Sequence, residues 1–411
     1  MLGSVKTELG SEKTELGSVN TELGSVKTEL GSVKTELGLV TYRTRFGKYE
    51  GVAMKTTAVI MAGGKGERFW PTSREKRPKQ FHSLTPDGKT LLQLTKERMR
   101  DIVQTEDTFV VTNKKYRDIV HEQLPDIPVE NILAEPVDRN TAPCVGFAAS
   151  VIEKKYGDAV MIALPSDHLI RSNTLFRDSL KDAVDIAGTR DALVTIGIMP
   201  VYPETGYGYI HFSRNDGSTY KVLEFIEKPD FEKAKEYFDS GEYLWNSGMF
   251  VWKTSVILNE MRKFIPDLME GLERIKRCYQ TEAFDSVLEV VYPSFKRQSI
   301  DYGIMEKITN LSNVCTIPGS FGWNDVGSWL ALERVSPIDK DNNVLQGNIV
   351  NIDCRDILVR GSEERLIALV GLEGVVVVDT DNALLICNKE NTQDVKKVVE
   401  FLRTHGKKEF L

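Results

Sequence analysis

Residues 56–81 read TTAVIMAGGKGERFWPTSREKRPKQF, and the reading of the whole chain turns on them. The apolar run over 58–62 has the length and content of a buried strand. It stops at Gly63-Gly64-Lys65-Gly66, where glycines let amide N–H groups turn toward an anion. Cations follow at Lys65, Arg68, Arg74, Lys76, Arg77 and Lys79, so a polyphosphate seated on the loop is expected to meet positive charge along the next turn. Spacing excludes two common glycine loops. A P-loop closes on Gly-Lys-Ser/Thr, whereas Gly66-Glu67-Arg68 stands here; a dinucleotide fingerprint counted from Gly64 needs glycine at 69, which is Phe69.

Outward from this stretch the chain alternates short apolar strands, at 58–62, 108–112, 132–134, 159–164 and 193–198, with amphipathic helices at 91–101, 116–123, 141–155 and 175–187. Such alternation predicts an α/β fold with a mostly parallel, Rossmann-like sheet and helices on both faces. Ligands then bind at the carboxyl ends of the strands. Residues 205–252 change to Tyr-, Gly- and Trp-rich β-like alternation, expected to form an inserted sheet that lids the pocket. After about residue 337 come short strands at 349–352, 367–370, 375–378 and 383–387 and a helix at 392–404. They suggest a small β-rich, β-helix-like C-terminal domain. Residues 3–38 repeat GSVKTEL every seven positions; a glycine in each heptad costs about 1 kcal/mol in a helix, so the repeat reads as a disordered tail and the fold as starting at Met54. The expected division is 1–53 tail, 54–336 main domain and 337–411 second domain.

Composition narrows the function classes. A chain of 411 residues with 41% hydrophobic content can bury a sizeable core. Its net charge of -7 gives no reason to expect nucleic acid as a partner. Five cysteines without C-x-x-C spacing point to neither zinc nor a disulfide framework, and reduced thiols fit the cytoplasm. No apolar run reaches the roughly 18–20 residues that span a bilayer, and no apolar leader opens the chain, so neither membrane insertion nor secretion is expected. No Ser-His-Asp or Cys-His grouping is evident.

Two aspartates follow positions where strands and glycine-flanked loops could present them. Asp167 lies in PSDH (165–168) after the strand at 159–164, and Asp325 in GWNDVGSW (322–329). Hard oxygen ligands suit Mg²⁺, which takes one or two carboxylates and completes its shell with phosphates and water. Either aspartate alone fits a helix cap or a turn equally well.

AGGKGERFWP followed by RPKQF resembles the signature of the sugar-1-phosphate nucleotidyltransferases, and Trp70-Pro71 with Pro78-Lys79-Gln80-Phe81 resembles the mannose-1-phosphate guanylyltransferase (GDP-mannose pyrophosphorylase) branch. The resemblance implies GTP and mannose 1-phosphate as substrates, Mg²⁺ held by Asp167 and Asp325, and a homodimer. It implies a nucleotide loop at Ala62, Gly63, Gly64, Lys65, Gly66 and Glu67. Arg68, Lys79 and Lys228 would carry the catalytic charge. A carboxylate can accept guanine N1–H and N2–H together, which nominates Glu135 of AEPVDRNTAP (134–143) as base reader, with Asn140 and Thr141 at the base or ribose, or simply capping the next helix. On the sugar side the resemblance points to Gly206, Tyr207 and Gly208 of ETGYGYI, Glu227 of EKP, and Asn246 and Ser247 of WNSGMF, with Asp301 in support. Longer relatives append a cupin-type isomerase domain, which is not expected in this sequence. A phosphate monoester is largely dianionic at neutral pH and needs no general base, which agrees with the missing triad. The competing expectations are the same fold acting on another sugar or base, and a sensor subunit without catalysis.

Overall fold

The computed structural model describes Met54–Leu411 apart from residues 86, 215–218 and 309–312, so the heptad repeat lies outside the described residues. The strands before residue 337 are β1 (Thr56–Met61), β2 (Thr108–Asn113), β3 (Ile132–Glu135), β4 (Val160–Pro165), β5 (Leu169–Ile170), β6 (Leu193–Ile198), β7 (Tyr209–Arg214), β8 (Tyr220–Ile226), β9 (Tyr243–Lys253), β10 (Val314–Gly319) and β11 (Trp323–Asn324). Nine of them make one sheet in the order β3-β2-β1-β4-β9-β6-β10-β8-β7, and β5 pairs with β11 in a separate ribbon. Within the nine-stranded sheet, all but β8 and β9 point the same way. The parallel order of β3, β2, β1 and β4 follows from their apolar content: β1 and β4 are buried along nearly their whole length, as strands covered on both faces must be.

Helix Thr141–Tyr156 covers one face together with Thr254–Phe264 and Pro266–Cys278, and Asn173–Thr189 covers the other. The first of these helices is apolar nearly all round and correspondingly buried, whereas the last buries Phe176, Leu180, Ala183 and Ala187 along one stripe. The stretch 254–291, to which the sequence reading assigned no element, is mostly helical.

One expectation needs correction. Residues 205–252 do not form a separate sheet. They supply β7, β8 and β9 to the main one, and β9 sits at its centre between β4 and β6. The polar Asn246-Ser247-Gly248 inside β9 gave no sign of a strand buried on both faces at the centre of the main sheet; the register slips there, between Thr195 and Gly197 of the partner strand.

Beyond residue 337 lie β12 (Val344–Gln346), β13 (Ile349–Ile352), β14 (Leu358–Arg360), β15 (Ile367–Val370), β16 (Val375–Thr380) and β17 (Ala383–Asn388). β12-β14-β16 and β13-β15 stack in parallel as two faces of a coil, and β17 closes the first face antiparallel. The expected last helix is α-helical only over Val395–Thr404, after a 3-10 segment at Lys389–Asp394. Its buried side joins a cluster in which Phe69, Trp70 and Trp329 pack with Val376, Val378 and Leu402. The turn after the glycine loop is therefore part of the core that the C-terminal coil completes.

Candidate active site

The glycine loop leaves β1 at the carboxyl edge of the sheet and is held from behind. Ala62 N–H donates to Val111 O at 2.7 Å, and Ala62 O accepts from Thr112 Oγ1 at 2.9 Å and from Gln80 Nε2 at 3.0 Å. Both backbone groups of Ala62 are thus used within the fold and anchor the start of the loop. Gln80 also donates to Gly64 O at 3.1 Å, and Ser73 Oγ to Lys65 O at 3.1 Å. Gln80 and Ser73 were missed as loop supports; the signal for Gln80 lay in PKQF, a polar residue amid a buried turn. Gly66 adopts φ 62°, and a Cβ there would stand 2.6 Å from Lys79 Cβ, so the loop closes against the lysine only because position 66 lacks a side chain.

In front of the loop a cavity of about 530 Å³ is lined by Gly63, Gly64, Lys65, Gly66, Glu67 and Arg68 on one side and by Glu135, Asp138, Asn140 and Thr141 on the other. Glu135 ends β3 and is buried, close enough to the loop that a Cβ on Gly63 would lie 3.6 Å from its Oε2. Its Oε1 accepts a hydrogen bond from the buried Tyr292 hydroxyl. Burial pushes its carboxyl up to about 7, against the Tyr292 hydrogen bond and with the help of Asp138. Asn140 and Thr141 serve the fold first. Asn140 Oδ1 caps the helix by accepting from Thr141 N–H at 2.8 Å, and Thr141 Oγ1 accepts from Ile300 N–H at 2.8 Å.

A second cavity of about 240 Å³ shares Gly64, Gly66, Arg68 and Asp167 with the first and adds Lys79, His168 and Asp325. Lys79, almost completely buried, donates to Asp167 Oδ2 at 2.8 Å and to the carbonyls of Asp325 at 2.8 Å and Val326 at 3.0 Å. It therefore ties together the two loops that carry the aspartates. Burial would raise the Asp167 carboxyl, but the Lys79 ammonium and His168 hold it below the usual range. Asp325 Oδ1 accepts from Tyr207 Oη at 2.7 Å and from Gly327 N–H at 3.0 Å. Among the described residues no three His, Cys, Asp or Glu side chains converge as a metal cage. Two carboxylates beside a phosphate-sized cavity fit a magnesium-like ion that takes its remaining ligands from phosphate and water, and do not fit zinc.

The expected sugar residues form a third group. Gly208 O accepts from Asn246 N–H at 2.8 Å, and a Cβ on Gly208 would stand 2.4 Å from Glu227 Oε2. Lys228 pairs with Glu227, and Asn246 Nδ2 donates to Asp301 Oδ1 at 2.7 Å, the supporting position expected of Asp301. Burial, then the neighbouring Glu227, pushes Asp301 up to about 6. Gly206 N–H is turned toward Glu204 Oε1 at 2.9 Å. Tyr207 is used at Asp325, which joins the sugar group to the aspartate pair. The Ser247 hydroxyl is buried and donates to Ile196 O at 2.5 Å, so its side chain is used inside the sheet.

The basic run splits. Lys65, Arg68 and Lys79 face the two cavities, but Arg74, Lys76 and Arg77 line a separate hollow against Arg360, Arg365 and Asp379 of the coil. The reason is Trp70, whose Nε1 donates to Phe410 O at 2.8 Å and draws the following residues toward the C-terminal end; Arg74 donates to Asn382 Oδ1 at 2.8 Å.

A family profile described as nucleotidyl transferase matches residues 57–342, and one described as MannoseP isomerase/GMP-like beta-helix domain matches 347–402. The chain is 39% identical over 364 residues to mannose-1-phosphate guanylyltransferase RfbM of Salmonella typhimurium, covering 87% of this chain and 74% of that protein. It is 39% identical over 359 residues to the mannose-1-phosphate guanylyltransferase of Klebsiella pneumoniae, covering 86% and 75%. Among solved structures, one from Thermus thermophilus described as a mannose-1-phosphate geranyltransferase superposes with a TM-score of 0.77 at 35% identity, covering 85% of this chain and 100% of that one. With both profiles in tandem and this identity across most of its length, the chain belongs to the mannose-1-phosphate guanylyltransferases of the nucleotidyl transferase family.

Proposed function

We propose that the protein transfers GMP from GTP to mannose 1-phosphate, releasing pyrophosphate and forming GDP-mannose. The observation that carries this reading is the convergence of the glycine loop, Arg68, Lys79 and the two aspartates on adjoining cavities that share Gly64, Gly66, Arg68 and Asp167. The nucleotide's guanine lies toward Glu135, its phosphates on the amides of Gly63–Gly66 with Lys65 and Glu67 at the rim. The sugar phosphate lies toward Gly208, Glu227, Lys228 and Asn246.

Nucleotidyltransferases of this family use a divalent ion. Here Mg²⁺ is the ion assigned, with Asp167 and Asp325 as its holders; when bound it supplies charge neutralisation between two polyanions. The chain's own residues do the rest. Arg68 and the loop amides hold the leaving pyrophosphate, Lys79 fixes the aspartate loops and faces the α-phosphate, and Lys228 orients the attacking dianion. Unit charges at about 4 Å repel by about 4 kcal/mol at an effective dielectric of about 20, so several cations are needed before the two reactants meet in line.

Residues 54–336 are assigned as the catalytic domain and 337–411 as a second domain. The cytoplasm is assigned as its compartment, in keeping with five unpaired cysteines; among the described residues no helix is long and apolar enough to cross a membrane. Self-association as a homodimer through the β-rich end belongs to the same reading, because Val350, Ile352, Val370, Leu384 and Ile386 leave apolar side chains on the outside of the coil. Pyrophosphate release from GTP and mannose 1-phosphate, with and without Mg²⁺ and against other sugars and nucleotides, tests the assignment. Release with a different pair would reassign the substrate, and none with any pair would favour a sensor.

A further inference from the structure

The last helical segment is held against the phosphate loop and the turn that follows it. Arg68 Nη1 donates to Gln393 Oε1 at 2.9 Å. Arg403 Nη2 bridges Glu67 Oε1 at 2.9 Å and Glu75 Oε1 at 3.1 Å, which offsets the loop's own acidic charge. Lys396 lies three residues after Gln393, hence on the same side of the helical stretch, and lines the cavity that Gly63–Arg68 line.

The charge around that cavity is already partly paired. Asp138 meets Arg297 at 3.4 Å, Asp167 meets Lys79 and Glu67 meets Arg403. Lys65, Arg68 and Lys396 line it with no ion-pair partner among the described residues, and of these Lys396 is exposed and contributed by the C-terminal helix. Glu135 lines the cavity beside Gly63, at the start of the loop, whereas Lys396 comes from the helical segment whose Gln393 holds Arg68, at the loop's end. An unpaired cation at the Arg68 end, away from the base-reading carboxylate, is placed for the end of a polyphosphate and not for a nucleoside.

We propose that Lys396 binds the terminal phosphates of the nucleoside triphosphate, so that the C-terminal helix forms one wall of the nucleotide site. This rests on the reading of the cavity as a GTP site. It also gives Gln393 a positioning role, since it orients Arg68 from the same face.

Titration calorimetry on the full chain, with GTP and separately with GMP and without sugar phosphate, tests the proposal in Lys396→Ala and Lys396→Arg. Lys396→Ala is expected to weaken GTP about tenfold, the loss of one charge-assisted contact, to leave GMP within about twofold of wild type, and to be largely rescued by Lys396→Arg. GTP affinity unchanged in Lys396→Ala, or GTP and GMP weakened alike, would overturn it. A wild-type chain that binds GTP yet makes no product with mannose 1-phosphate would count against the proposed reaction and leave the phosphate contact standing.

Discussion

At the scale of single residues, Glu135 and Lys79 carry the sharpest expectations. The Glu135 carboxyl is pushed from an ordinary 4.5 up to about 7 mainly by burial. Because the folded value lies above the unfolded one, the stability it contributes is complete below about 4.5 and is lost as pH rises through about 7. Glu135→Gln, neutral throughout, is expected to melt above wild type at about pH 8 and close to it at about pH 5, as thermal scans at the two pH values would record. If Glu135 reads the base as proposed, only its ionised carboxylate can accept both guanine donors, so the ratio of wild-type to Glu135→Gln affinity for GTP should rise with pH through this range, the titration of the GTP phosphates being common to both. A ratio flat with pH, in a variant that kept the preference for GTP, would remove Glu135 as base reader. Lys79→Ala removes the tie between the aspartate loops and a cation beside the loop. By comparison with loss of one preorganised donor it is expected to cost about 10² to 10³ in turnover, and a loss below about tenfold would count against its role.

At the scale of elements, the glycine loop behaves as three different positions although its sequence presents three like residues. Gly64 has open space around it, whereas a methyl on Gly66 would meet Lys79 Cβ at 2.6 Å and Ser73 Oγ at 2.9 Å in a backbone with φ 62°. Gly66→Ala should therefore lower stability by about 1–3 kcal/mol and reduce turnover with it, while Gly64→Ala should melt close to wild type. Denaturant titration of the pair separates the two; equal effects would mean that the loop relaxes freely. The element-level reading of the sequence succeeded where one signal dominated, as in the apolar runs of β1, β2 and β6. It read the β9 region as β-like but placed it in a separate lid, because nothing local to Asn246, Ser247 and Gly248 says that this strand runs between β4 and β6, where Ser247 donates to Ile196 O.

For the whole molecule, the C-terminal coil is joined to the turn after the glycine loop through one core. Phe69, Trp70, Leu91, Val326 and Trp329 pack with Val376, Val378, Val399 and Leu402, so any shift of the coil moves the turn that carries Arg68. The apolar side chains on the coil's outer face set the expectation for assembly. Ile386→Asp, at a residue 63% exposed in the single chain, should convert a dimer to a monomer in sedimentation without changing the monomer's fold. A dimer unchanged by Ile386→Asp and by Val370→Asp would place the contact elsewhere.

The local features were determined by the sequence alone, because each depends on neighbours a few positions away: the strand that ends in glycines, the absence of a P-loop, the parallel β-α order, the β-rich end and the chemistry available at Asp167, Asp325 and Glu135. Only the tertiary structure decided which charges share a cavity. It sent Arg74, Lys76 and Arg77 to the coil, placed Lys79 between two distant loops, buried Glu135 beside Tyr292, and set Gln393 against Arg68 across 325 positions of chain. Charge interactions depend on distance in space and on burial, and neither is written in the order of residues until the core has packed.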